Sequence, residues 1–140
     1  MSDDDLNLWK LTLQRLAQLD LKAIDEVNPR LAEEIVGHLQ KIRCWDSPLT
    51  PRDRRKYNAI LSYPNALGCV RIKQWGGEWR IVLRVLCKDD KSFVDLRDPK
   101  VKLDKRIHYL QVIFINLRSP ITYYQDLPDR MLELASAGQT

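Results

Sequence analysis

The order of the predicted elements, two helices followed by strands and a last short helix, is that of an α+β domain. Three stretches of sequence predict it. Asn28-Pro29 is a clear helix start inside an otherwise helical N-terminal region. Residues 68–86 form two strand patterns joined by Gly76-Gly77, a dipeptide suited to the turn of a β-hairpin. Residues 108–117, HYLQVIFINL, are apolar on both faces, as is typical of a central strand covered on both sides.

The N-terminal third is predicted to be a helical hairpin. Residues 6–13 are ambiguous between a short strand and the start of a helix, and a helix is predicted from Gln14 to about Ile24. A second helix begins with Asn28 as its N-cap and runs to about Ile42. Its apolar stripe contains Leu31, Ile35, Leu39 and Ile42. Such a hairpin ordinarily covers one side of a sheet.

The paired glycines fix the register of the predicted β-hairpin. With Gly76-Gly77 as the loop, Lys73 lies directly opposite Arg80. The same register places Ile72 opposite Ile81, Val70 opposite Leu83 and Trp75 opposite Glu78. Because side chains alternate across a strand, one face of the hairpin is apolar and the other is cationic. The cations of that second face are Arg71, Lys73, Arg80 and Arg84.

Opposed cations have two explanations. Like charges directly opposite on a sheet destabilise it by about 0.2–1 kcal/mol, so the pair Lys73 and Arg80 favours a bound anion. The alternative is a solvated face whose long side chains splay apart and cover apolar surface with their stems.

The rest of the chain is taken as part of one domain, residues 1–140, with a polar insertion at about 88–107. This insertion is predicted to hold one short strand at Ser92–Leu96. Its carboxylates (Asp89, Asp90, Asp95 and Asp98) are interpreted as solvated loop charge rather than a metal site. A short terminal helix follows the strand at 108–117.

Charge is strongly segregated along the chain. Residues 41–118 carry eighteen Lys and Arg against eight Asp and Glu, whereas the chain as a whole has a net charge of +4. A segment this basic suggests a polyanionic partner, of which nucleic acid is the commonest. The run Arg52, Arg54, Arg55 and Lys56 is either a solvated loop or a set of phosphate contacts.

Several classes of protein are disfavoured. No apolar run approaches the roughly 20 residues of a membrane span, and the acidic start Asp3-Asp4-Asp5 does not suit a signal peptide. Three cysteines without CxxC spacing indicate neither a disulfide framework nor a zinc site, so we expect a cytoplasmic protein. The only histidines are His38 and His108, and His38 is interpreted as a packed core residue. We therefore expect no metal and no cofactor.

A cationic face is nevertheless enough for one reaction. Cleavage of RNA by its own 2′-hydroxyl needs a base, charge stabilisation at phosphorus and an acid for the departing 5′-oxygen. Cations aimed at the phosphate supply the second requirement. A lysine crowded by arginines has a lowered pKa and becomes a usable acid or base.

The block CVRIKQWGGEWRIVLRV resembles the central hairpin of the RelE branch of the RelE/ParE superfamily of bacterial toxins. The branch has a cation-x-Lys motif on the first strand and an aromatic-Arg pair on the second, matched here by Arg71-Ile72-Lys73 and Trp79-Arg80. It also has an arginine ending an apolar strand and a tyrosine six residues later, matched by Arg118 and Tyr124. The resemblance covers roughly residues 9–135.

The resemblance implies two N-terminal helices packed on a small antiparallel sheet with a short C-terminal helix, the open concave face of the sheet being the active surface. It also implies a toxin of a type II toxin–antitoxin system, a metal-independent endonuclease that cleaves messenger RNA on the ribosome and is neutralised by a cognate antitoxin. By position, Lys73 would be the general base or its close partner, and Arg80 would stabilise the transition state. Arg118 would serve the leaving group or phosphate, and Tyr124 (or Tyr123) would stack on a base or orient the 2′-hydroxyl. Arg71 would position the RNA backbone.

Other assignments stay open. Trp75 is either a stacking platform for a base or a rim residue covering the sheet edge, and Arg84 is a further candidate for RNA binding. Both tyrosines could instead pack against the terminal helix. Two alternative functions remain: a non-catalytic protein binder like the ParE branch, which acts on DNA gyrase, and a basic RNA-binding module.

Overall fold

The computed structural model describes residues 8–45, 58–60, 68–73, 79–117 and 126–136. The predicted α+β class is confirmed. In chain order the elements are β1 (Leu11–Leu13), α1 (Arg15–Val27), α2 (Pro29–Arg43), β2 (Asn58–Ile60), β3 (Val70–Lys73), β4 (Trp79–Cys87), β5 (Phe93–Val94), β6 (His108–Leu117) and α3 (Leu127–Ser136). None of the helices in this part of the chain is long and apolar enough to cross a membrane.

The sheet has the strand order β1-β6-β4-β3-β2, and β5 pairs with the far end of β4. Its pairs are antiparallel except that β1 runs parallel to β6. The predicted antiparallel sheet is therefore a mixed one. The parallel strand β1 lies in residues 6–13, for which the sequence predicts either a strand or a helix. β6 forms hydrogen bonds with the backbone on both sides of β1: the Leu110 amide donates to the Lys10 carbonyl at 2.9 Å, and the Gln14 amide donates to the Val112 carbonyl at 2.9 Å.

The predicted helix starts are confirmed by their caps. Gln14 precedes α1 and accepts a 2.7 Å hydrogen bond from the Leu16 amide through its side chain. The helix continues past the predicted end at Ile24 to Val27. Asn28 caps α2 by accepting from the Leu31 amide at 3.1 Å, with proline in the first helical position.

The two helices cover one face of the sheet, here called the helix-hairpin face. Alternate residues of β3 and β4 point to it, and they are fully buried. They are Val70, Ile72, Trp79, Ile81, Leu83 and Val85. The predicted stripe of α2 meets them, with Ile35, Leu39 and Ile42 buried in the same cluster. His38 lies beside this core, with its ring 5.0 Å from that of Trp79 and 6.0 Å from that of Trp45.

The opposite face, here called the α3 face, has its own smaller core. Leu127 and Leu134 of α3 are buried together with Val82, Ile113 and Phe114 of the sheet. β6 therefore is covered on both sides, as its sequence predicts. The face that the family resemblance implies to be open carries a helix over its centre.

A β-bulge lies under α3. Val82 pairs with Phe114, but the next residue of β4, Leu83, pairs with Val112, so β6 contributes the extra residue Ile113. The two consecutive residues Ile113 and Phe114 thus belong to one core cluster on the same side of the sheet.

An ion pair joins α1, α3 and β6. Arg130 of α3 makes two 2.7 Å hydrogen bonds to the carboxylate of Asp20 in α1, and the pair is largely buried. β1 ends at Leu13, opposite Val112. Beyond that point, the Ile115 amide donates to Asp20 at 3.0 Å and the Ile113 carbonyl accepts from Arg130 at 2.9 Å. The side chains of Asp20 and Arg130 thus form the hydrogen bonds with the backbone edge of β6 that β1 no longer provides beyond Leu13.

The polar insertion is organised by its aspartates. Each of four Asp side chains accepts a hydrogen bond from the backbone amide two residues later, the geometry of an Asx turn. The distances are 2.9 Å for Asp90, Asp95 and Asp98 and 2.8 Å for Asp104. The predicted strand is present as β5, and Leu96 is buried in the core beneath the helix hairpin. The interpretation of Asp90, Asp95 and Asp98 as loop charge is refined, because they stabilise the turns of this segment.

Candidate functional site

The central hairpin has the register that the sequence predicts. Lys73 lies opposite Arg80, Ile72 opposite Ile81, and Val70 opposite Leu83. Arg71 pairs with Val82, so alternation places Arg71 on the same face as Arg80. The backbone register therefore sets the cation-x-Lys motif of β3 alongside the arginine of β4.

Arg80 occupies the middle strand of this arrangement. Its backbone pairs with Lys73 on one side and with Asn116 of β6 on the other. The side chain is only 4% exposed, and its Nη1 donates to the Trp79 carbonyl at 2.9 Å. A guanidinium held in a low-dielectric setting interacts strongly with any anion that reaches it.

Asn116 links this group to a carboxylate. Its amide nitrogen donates to Asp126, the residue before α3, at 3.3 Å. Neither Asn116 nor Asp126 was predicted from the sequence as a site residue. Gln111 and Asn116 are five positions apart in β6, so simple alternation places them on opposite faces. The bulge at Ile113 adds one residue and brings both to the α3 face.

Arg84 does not join the Arg80 group. It lies four residues along β4, roughly 13 Å away at the usual rise of a strand. The level of Val82 and Phe114, covered by α3, separates the two arginines. Its Nε donates to the Gln111 side chain at 2.7 Å, and the residue is 6% exposed. The assignment of Arg84 as a contact for RNA stays a prediction; like Arg80, the residue is buried in this structure.

Burial also sets the ionisation of the groups around Arg84. It lowers the pKa of the Arg84 guanidinium, an effect that the neighbouring Cys69 and Tyr109 oppose. It raises the pKa of the Cys69 thiol to about 12, so this cysteine is an inert thiol rather than a nucleophile at neutral pH.

Other predicted site residues lie outside the described part of the chain. They are Trp75 with the Gly76-Gly77 turn, Arg118, Tyr123, Tyr124 and the basic run at 52–56. For Lys73 the backbone is described and the side chain is not. The described part of the sheet ends at the pairing of Leu117 with Trp79. These are the residues that precede Arg118 and Arg80 in the sequence.

His38 has the core environment predicted for it. Burial between Trp45 and Trp79 lowers the pKa of its imidazole; the nearby Lys41 adds to this effect and Glu34 opposes it. No cluster of His, Cys, Asp and Glu side chains suited to a metal ion occurs within the described ranges.

Comparisons of the chain with protein-family models, with curated protein sequences and with solved structures found no match.

Proposed function

We propose that the chain is a toxin of the RelE type, a metal-independent endoribonuclease that cleaves messenger RNA on the ribosome and is held inactive by a cognate antitoxin. The observation that carries the proposal is the pairing of Lys73 with Arg80, with Arg71 on the same face of the sheet. These are the hairpin residues at which the sequence resembles the RelE branch. The helical hairpin before the sheet and the short strand β1 support it, because the family has this order of elements.

In the proposed reaction the 2′-hydroxyl of the message attacks the adjacent phosphorus, giving a 2′,3′-cyclic phosphate and a free 5′-hydroxyl. Lys73 takes the proton of the attacking hydroxyl or stabilises the group that does. Arg80 stabilises the negative charge on the phosphorane-like transition state. Arg118 stabilises the charge on the departing oxygen, which takes its proton from water, or binds the phosphate. Tyr124 (or Tyr123) orients the nucleotide, and Arg71 holds the RNA backbone.

The cover provided by α3 constrains how RNA reaches this group. α3 packs at the level of Val82 and Phe114, two residues from Arg80 along β4. The scissile phosphate therefore approaches from the end of the sheet where β4 begins and β6 ends, rather than across its centre. In this proposal Trp75 at the hairpin tip supplies a surface for base stacking.

The test is expression in bacteria together with cleavage of ribosome-bound message by the purified chain. Lys73→Ala and Arg80→Ala are each expected to slow cleavage by about 10²–10³-fold, the usual loss on removing one electrostatic group from such a site. Arg97→Ala is the matched control, because Arg97 is exposed and pairs only with Asp95 among the contacts described for it.

Arg80 is buried, so its removal could unfold the chain. Arg80→Lys keeps the charge and much of the volume, and circular dichroism of both variants separates loss of fold from loss of chemistry. Cleavage that survives in folded Lys73→Ala and Arg80→Ala variants contradicts the proposal.

A non-catalytic protein binder of the same superfamily, acting on DNA gyrase, is the second candidate. The burial of Arg80 and the position of α3 on its face favour it, because both reduce the surface available to RNA. Growth arrest that is unchanged by Lys73→Ala and Arg80→Ala, with no cut message, identifies this case.

A further inference from the structure

A second cationic feature lies at the far end of the sheet. A cavity of about 430 Å³ opens where β1, the start of α1, the turn after β4 and the first half of β6 meet. It lies beside Gln111, which pairs with Arg84, and so it is roughly 13 Å along β4 from the level of Arg80. The cavity is therefore separate from the proposed cleavage site.

Four cations from three separate segments line the cavity. Lys10 precedes β1, Arg15 begins α1, and Lys88 and Lys91 belong to the turn after β4. None of the described residues around the cavity is acidic. Asp89 and Asp90 share the turn with the two lysines but do not line the cavity, and Asp90 accepts a hydrogen bond from the Ser92 amide at 2.9 Å. Cations gathered around a concave surface raise the local concentration of anions.

Polar groups inside the cavity are arranged as donors. The Gln111 oxygen accepts from Arg84, so the remaining polar group of that side chain is its NH₂. The Thr12 hydroxyl oxygen is buried behind the cavity wall, so a ligand in the cavity does not contact it. The Lys10 ammonium is held 5.4 Å above the Tyr109 ring, which restrains it at the cavity wall.

The turn that carries Lys88 and Lys91 keeps a lysine at an unfavourable backbone position. Lys91 has φ = 59°, in the left-handed region where glycine or asparagine is favoured. The turn is closed by hydrogen bonds of 2.9 Å from the Lys91 amide to the Cys87 carbonyl and from the Cys87 amide to the Ser92 carbonyl. Turn geometry alone favours glycine here, so the turn does not explain why residue 91 is a lysine, and its side chain lines the cavity.

We propose that this cavity binds phosphate groups, with Lys10, Arg15, Lys88 and Lys91 neutralising their charge and Gln111 donating a hydrogen bond. The volume accommodates more than one phosphate group, so the ligand is either a stretch of RNA backbone or a small compound such as a nucleoside diphosphate. Both present the same tetrahedral oxyanions. Binding here does not depend on the proposed cleavage of RNA.

The first experiment measures binding of a fluorescent single-stranded RNA of twelve nucleotides as a function of salt. All its riboses are 2′-O-methylated, so it cannot be cleaved, and a failed nuclease proposal does not affect the result. The variant is Lys88→Gln/Lys91→Gln in the full chain. The control is Lys22→Gln/Lys41→Gln, which removes two exposed lysines from the helices. Loss of two phosphate contacts reduces the slope of log K against log salt by about 1.4 and weakens binding at low salt by at least tenfold.

Inorganic pyrophosphate and ADP form the second arm, measured by isothermal titration calorimetry. Binding of either compound that the double variant abolishes, and the control keeps, assigns the cavity to small phosphorylated compounds. A change with RNA alone assigns it to the nucleic-acid backbone. If neither ligand distinguishes the double variant from its control, the proposal is overturned.

Lys91→Gly separates binding from turn structure. Glycine relieves the positive φ, so the variant is expected to unfold at the same urea concentration or a higher one. Its affinity for the phosphate ligand is expected to fall as far as that of Lys91→Gln. Unchanged affinity in Lys91→Gly overturns the role assigned to this side chain.

Discussion

The two faces of the sheet are both covered by helices, but they differ in how much charge they bury. The helix-hairpin face is apolar along both central strands and is covered by two helices that follow β1 directly. The α3 face has a small apolar centre with a buried arginine on either side, Arg80 and Arg84. Burying a charged group costs free energy unless its partners replace water well. The contrast indicates that the helix-hairpin face stabilises the fold and that the α3 face keeps buried charges that lower the stability of the fold.

The sharpest test of this contrast uses two neighbouring residues of β4. Leu83 points to the helix-hairpin face and is fully buried, whereas Arg84 points to the α3 face. Leu83→Ala is expected to lower the free energy of unfolding by about 3 kcal/mol, through lost burial and the cavity left behind. Arg84→Met is expected to cost about 1 kcal/mol or less, because the aliphatic stem still packs and a buried charge is removed.

Urea denaturation followed by tryptophan fluorescence measures both variants. If Arg84→Met costs as much as Leu83→Ala, the guanidinium is a structural element of the α3 face and the distinction between the faces is wrong.

The ion pair between Asp20 and Arg130 tests what holds α3 on its face. Asp20→Ala removes both bonds to Arg130 and the acceptor of the Ile115 amide, so we expect a loss of about 2–3 kcal/mol. Asp25→Ala, at an exposed position of the same helix, is the control and is expected to change stability by less than about 0.5 kcal/mol. Hydrogen exchange at Ile115 gives a local readout, and equal exchange in the two variants contradicts this role.

The smallest effect concerns His38, the ionisable group beside the helix-hairpin core. Its pKa is lowered from 6.5, chiefly by burial, so the unfolded chain binds the proton more tightly than the folded chain does. The stability contributed by neutral His38 is fully present above pH 6.5 and is lost as the pH falls below that value. His38→Gln is expected to flatten this part of the stability–pH curve between pH 7.5 and 5. Parallel curves for the variant and the unaltered chain contradict the assignment.

How far the sequence predicts the structure differs between the faces in the same way. The helix-hairpin face follows from local patterns: the helix start near Gln14, the cap at Asn28, the stripe of α2 and the register set by two glycines are all visible in the chain. The α3 face depends on a bulge at Ile113, which reverses the alternation of β6, and on Asp20 meeting a residue 110 positions later. Neither leaves a local signal, because each results from packing between distant segments.

The candidate site divides along the same line. The pairing of Lys73 with Arg80 and the placement of Arg71 on the face of Arg80 follow from the register and were predicted. The burial of Arg80 and Arg84 and the approach of Asn116 to Arg80 depend on α3 and the bulge, and they were not. The cavity lined by Lys10 and Lys91 joins segments about 80 residues apart and could be found only in three dimensions.

The pairing of Asp20 with Arg130 has a consequence for vectorial synthesis. A ribosome releases the chain from its N-terminus, so β6 emerges before the arginine that serves its edge does. Until Arg130 is present, the Ile113 carbonyl lacks its native hydrogen-bond donor, and both faces of β6 are apolar. We expect a chain truncated after residue 117, which keeps β6 and lacks Arg130, to self-associate more readily than the full chain, because an unpaired strand edge can pair with a second one.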